Sequence, residues 1–103
     1  MSTKRIIKNQ VFFEALCRER QYQLRKWGDQ DRPLAEWLLI ARKEMNEALD
    51  DWASTPGYAA ALNELLQVAT VIMACFEQHP ILERNWEEVY PEIAPTTGRV
   101  DHP

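Results

Sequence analysis

With 103 residues, 46% of them hydrophobic and 27% charged, the chain is long enough for one domain and too apolar for a disordered one. Its formal net charge of −4 and the lack of a basic stripe argue against a nucleic-acid partner. The start lacks the apolar run of a signal peptide, no apolar stretch reads as a membrane span, and Cys17 and Cys75 read as reduced core thiols, so the expected setting is cytoplasmic with no membrane partner.

The 3 glycines and 6 prolines sit mostly at segment ends or in the last quarter, which leaves long stretches for helices. The first predicted helix runs from Asn9 to Lys26. It ends in Trp27-Gly28-Asp29-Gln30-Asp31-Arg32-Pro33, a stretch of turn formers in which Asp29 or Asp31 could cap the next helix. The second runs from Leu34 to Ala53, with Pro33 suited to its first turn. Leu34, Trp37, Leu38, Ala41, Met45, Ala48, Leu49 and Trp52 recur at helical spacing and form one apolar stripe. Ser54-Thr55-Pro56-Gly57 breaks it. The third helix, Tyr58 to Gln78, has Leu62, Leu65, Leu66, Ala69, Met73 and Phe76 on one face. Val68, Val71, Ile72 and Cys75 carry apolar character around much of the rest. A helix apolar nearly all round is covered on several sides, and in a chain this small a second subunit is the expected cover. Residues 1–80 thus read as one helical domain. Residues 81–103 read as its short C-terminal helix, over Leu82 to Val89 with Trp86 inward, and an extended tail. Trp37, Trp52 and Trp86 are expected in the core or an interface.

The polar exceptions carry the chemistry. Glu64 and Gln67 are three residues apart in the third helix and share a face of an otherwise apolar run. A glutamate there is costly to bury unless it is paired or binds a metal. Glu44 and Glu47 have the same spacing in the second helix, with Asp50 and Asp51 one turn on. Glu47 lies eight residues before Thr55, and Glu64 eight after Pro56, so a helical hairpin sets them at similar height. Three carboxylates and the Gln67 amide oxygen make an oxygen-only site, which suits Mg²⁺ or Mn²⁺. A di-iron bundle would add Glu-x-x-His motifs, and neither His79 nor His102 is placed for one. Two plainer readings stand beside this. Glu44, Glu47, Asp50 and Asp51 also suit a solvated helix face, and Glu64 could pair with Arg20 or Arg42.

At these residues the chain resembles the MazG-like all-alpha nucleotide pyrophosphohydrolases and dimeric dUTPases. Their pattern is close to E-E-x-x-E, a gap, then E-x-x-D. Lys43-Glu44-Met45-Asn46-Glu47 and Glu64-Leu65-Leu66-Gln67 correspond to it. A short MazG-like subgroup is closer still. Glu19-Arg20-Gln21-Tyr22-Gln23, Lys26-Trp27-Gly28-Asp29-Gln30 and Glu64-Leu65-Leu66-Gln67-Val68-Ala69-Thr70-Val71 match its stretches in order, and the likeness covers Glu19 to Glu77. Lys43 stands where the general pattern has glutamate, and Gln67 where it has aspartate.

The resemblance implies an all-α, hairpin-based bundle whose four-helix core is completed by a homodimer or homotetramer. It implies hydrolysis of a nucleoside triphosphate to the monophosphate and pyrophosphate. Glu44, Glu47, Glu64 and Gln67 would hold Mg²⁺ or Mn²⁺, with Glu44, Glu47 and Glu64 catalytic and one of them, or Asp51, orienting the attacking water. Gln23, Lys26, Trp27 and Gln30 would bind the nucleotide, Trp27 by stacking on the base. Packing of Trp27 against the bundle is the plainer role for it. A nucleotide- or metal-binding module without turnover, or a helical interaction module, is the alternative function.

Overall fold

The computed structural model describes residues 2–82 and residue 84, and among them it is all-helical. Helix α1 spans Thr3–Trp27, α2 Leu34–Ser54 and α3 Ala59–Phe76. The first helix begins at Thr3 rather than Asn9 because Ser2 caps it: its Oγ accepts from the Arg5 amide at 3.2 Å. Gly28 ends α1 at φ 77°, a left-handed conformation, and its amide donates to the Leu24 carbonyl at 2.8 Å. Pro33 is the N-cap of α2, and no side chain caps that helix, so neither Asp29 nor Asp31 takes the role expected of it. The expected short helix over 82–89, Trp86 and the tail lie outside the described residues.

Helix α3 is the centre. Both α1 and α2 pack on it, while among the described residues no Cα atom of α1 comes within 8 Å of one in α2. The inward face of α3 is Val68, Val71, Ala74 and Cys75, and Trp37 of α2 closes over Val71, Ala74 and Cys75, flanked by Ile40 and Ala41. Thr70 is fully buried and satisfies its hydroxyl by donating to the Leu66 carbonyl one turn back at 2.7 Å.

This arrangement covers less apolar surface than the helical spacing suggests. Of the α2 stripe, Trp37 and Ala48 are buried, whereas Leu34, Leu38, Leu49 and Trp52 are exposed. Trp52 instead stacks on Tyr58 across the α2–α3 turn, with ring centroids 5.7 Å apart. On α3, Leu62, Leu65, Ile72 and Phe76 face out. One helix neighbour cannot cover a stripe that wide. Helix α3 also meets the length and composition of a membrane span, with a mean hydropathy of 1.6 over 18 residues. That corrects the expectation that no stretch is long enough, although here the helix is the shared packing partner of the other two.

Candidate functional site

The α2–α3 hairpin brings three carboxylates together. One oxygen from each of Glu44, Glu47 and Glu64 lies within 4.8 Å of the others. Glu44 and Glu47 sit one turn apart on α2, and the short connection through Gly57 returns α3 alongside, so Glu64 meets them at the height that counting from the turn implies. All three are half-buried. Burial, then the charge of Glu47, then that of Glu64 push the Glu44 carboxyl up to about 6 from its ordinary 4.5. Glu64 is also raised, first by burial, then by Glu47 and Asp51. Asp51 thus reaches the site electrostatically, while Asp50 is exposed.

Gln67, the fourth expected ligand, lies one turn along from Glu64 and is engaged elsewhere. Its Oε1 accepts from Gln23 Nε2 at 3.0 Å, and its Nε2 donates to Glu19 Oε2 at 2.9 Å. It ties α3 to α1.

Beside the carboxylates a cleft of about 250 Å³ opens. It is the gap left between α1 and α2, floored by α3 through Gln67, Val71 and Ala74. Arg20, Gln23 and Trp27 form the α1 wall; Trp37, Ile40 and Glu44 form the α2 wall. Gly28, Gln30 and Arg32 close one end. Glu44 therefore belongs to both features and joins the cleft to the carboxylate cluster. The volume sits just below the range of about 300–1,000 Å³ usual for drug-sized ligands, so one ring system with its tail outside is the scale it admits.

Of the residues expected to bind substrate, Gln23, Trp27 and Gln30 line this cleft. Trp27 is 57% exposed, which speaks against its packing into the bundle. Lys26 does not line the cleft; its Nζ lies over the Trp27 ring, 4.8 Å from the centroid. Glu64 pairs with neither Arg20 nor Arg42. Arg20 is buried and holds Glu77 through Nε and Nη2 at 2.8–3.1 Å.

No family model, curated protein or solved structure matches the chain. The resemblance to MazG-like proteins therefore rests on the motif residues alone.

Sequence reasoning missed the residues that shape the cleft end. Gln78, just past α3, accepts from the Arg32 amide at 2.9 Å and from Trp37 Nε1 at 3.1 Å, and donates to the Gln30 carbonyl. His79 Nε2 lies 3.0 Å from the Arg32 carbonyl. Arg32 in turn lies over the Trp37 ring and pairs with Glu36. The one signal was a pair of polar residues directly after an apolar helix, which reads more readily as a solvated end.

Proposed function

We propose that the protein is a cytoplasmic, metal-dependent nucleoside triphosphate pyrophosphohydrolase, releasing pyrophosphate and a nucleoside monophosphate. The observation that carries this is Glu44, which belongs at once to a three-carboxylate cluster and to a ring-sized cleft. A hard divalent cation and a nucleotide base would each find a fitting environment within one residue of the other.

The donor set suits Mg²⁺ or Mn²⁺. In an octahedron with Mg–O near 2.1 Å, neighbouring oxygens stand about 3 Å apart and opposite ones about 4 Å. Carboxylate oxygens within 4.8 Å need only small side-chain rotations to meet that spacing. Burial and then the neighbouring carboxylates raise Glu44 and Glu64, and a bound cation would offset both. Glu44, Glu47 and Glu64 would hold the ion, which when bound offsets charge on the phosphate oxygens. Asp51 stands close enough to act on Glu64 and is the candidate to orient the attacking water. Trp27 offers an exposed ring face at the cleft mouth for the base. Gln67 would act on α1 rather than on the metal.

The second part of the proposal is a homodimer or homotetramer. An apolar hollow of about 490 Å³, lined by Phe12, Met45, Leu62, Leu65, Val68 and Ile72 among others, supports it. Two such hairpins facing each other would complete a four-helix core.

The deciding experiment is pyrophosphate release from a panel of nucleoside triphosphates with Mg²⁺ or Mn²⁺. Release in wild type, reduced at least about a hundredfold in Glu64→Gln, supports the hydrolase. No release with any nucleotide from a folded protein refutes it.

A further inference from the structure

Helix α1 outruns the bundle it packs on. Every residue from Ser2 to Glu14 is exposed, and burial begins only at Ala15 and Leu16. Phe12, Leu16, Glu19 and Gln23 recur at helical spacing and mark the face turned to α3. Phe12 borders the apolar hollow, Leu16 is buried, and the other two hydrogen-bond to Gln67. At about 100° per residue, Ile6, Ile7, Val11 and Phe13 fall on an arc of about 160° that points away from that face. Each of the four is at least 44% exposed.

The charges on this segment have one sign. Lys4 and Lys8 line one edge of the arc, and Arg5 lies behind it. No acidic residue lies between Met1 and Glu14, and none of the three cations pairs with a described residue. They are three of the chain's 12 basic residues, so the rest of the chain holds nine against 16 acidic ones. A cationic, apolar segment thus extends from an acidic body.

Sign and shape together select the partner. A second copy cannot cover the arc with its own α1 segment, because the same three cations of each copy would then meet with no acid between them. The apolar hollow of a second copy is taken up by the hairpin contact proposed above. A single convex helix offers no groove to a peptide. The headgroup region of a bilayer needs no groove: it takes in a convex apolar face, and anionic lipids supply the counter-charge. Lysines at the edge of the arc reach headgroups while the apolar side chains lie deeper. The arc faces away from the bundle, so the acidic body stays on the side of α1 remote from the lipid.

We propose that the Thr3–Phe13 part of α1 is an interfacial helix that lays Ile6, Ile7, Val11 and Phe13 on an anionic membrane surface. The expectation of no membrane partner rested on the lack of a spanning stretch, and a helix lying on the surface needs none.

The test is co-sedimentation of the full chain with phosphatidylcholine vesicles, with and without phosphatidylserine. Binding is expected to be at least about tenfold tighter with phosphatidylserine and to weaken as salt rises. Two folded variants separate the contributions. Lys4→Gln/Lys8→Gln removes charge, and Ile7→Gln/Val11→Gln removes apolar contact while keeping good helix formers. Each is expected to weaken binding to the anionic vesicles at least about tenfold. Should one variant fail to fold by circular dichroism, the other decides. No sedimentation with either vesicle, equal sedimentation with both, or undiminished binding by a folded variant overturns the inference. So does a fall in oligomer size by size exclusion in Ile7→Gln/Val11→Gln, which would put a second copy on the arc. The inference stands apart from the hydrolase reading, since sedimentation needs neither nucleotide nor metal.

Discussion

Three half-buried carboxylates within 4.8 Å resist ionisation, first through burial and then through mutual repulsion, and that resistance has a direction in pH. Glu44 holds its proton to about pH 6 in the folded chain and releases it near 4.5 when unfolded. Between those values the folded state binds more protons, so stability falls as pH rises through the window. Glu64, raised for the same reasons, adds in the same sense. The metal-free protein is therefore expected to melt at a higher temperature at pH 4.5 than at pH 7, provided other groups contribute evenly. Glu44→Gln should flatten that slope in thermal scans. Mg²⁺ competes with the same protons, so the stabilisation it gives should grow from pH 5 to pH 7. A melting temperature that rises across this window in wild type, and does so equally in Glu44→Gln, would remove the crowded-carboxylate account.

At the scale of elements, the cleft lies between α1 and α2, both of which pack on α3, and its loop end is tied down from α3. Gln78, just past the end of α3, is the tie. It receives Trp37 Nε1 from α2 and the Arg32 amide from the connecting loop. Gln78→Ala leaves a buried indole N–H and a backbone N–H without partners, at about 1–3 kcal/mol for each group that water cannot reach. The expected loss is about 2–3 kcal/mol by urea unfolding. In a Trp37→Phe background the same change should cost less, because one orphaned donor is already gone. Equal costs in both backgrounds would mean that Gln78 acts without Trp37. This clasp also marks where reading from sequence ends. Helix positions and the Glu44–Glu47–Glu64 convergence were legible, because helical period and distance from a turn are local properties. Gln78 was not, since its partners lie 41 and 46 residues away in the chain. The eight-residue stripe on α2 was legible as a stripe, but not which half would be covered, because that depends on how few helices pack against it. Gln67 kept its place beside Glu64 and found its partners on α1, a choice that spacing within α3 cannot express.

For the molecule as a whole, the decisive quantity is how little one chain buries. Among the described residues, Leu16, Trp37, Ala48, Val68, Val71, Ala74 and Cys75 are the buried hydrophobics, while 20 large hydrophobic residues are exposed. A stable interface buries upwards of about 1,000 Å² in total, and each fully covered Leu, Ile or Phe contributes about 1.5–3 kcal/mol. The outward face of α3, with Phe12 and Met45 beside it, is the surface able to supply that area. Its residues adjoin the carboxylates in sequence: Met45 follows Glu44, and Leu65 follows Glu64. The same two helices thus carry both the carboxylates and the apolar hollow, on neighbouring faces. Association should hold their spacing, and with it the cluster geometry. Light scattering behind size exclusion is expected to show at least two chains per particle. Leu65→Lys, placing a charge in the hollow, should shift the particle towards one chain, lower the melting temperature and reduce metal-dependent stabilisation together. A wild type that is monomeric at micromolar concentration and still stabilised by Mg²⁺ would separate the two properties, and the carboxylate cluster would then be complete within a single chain.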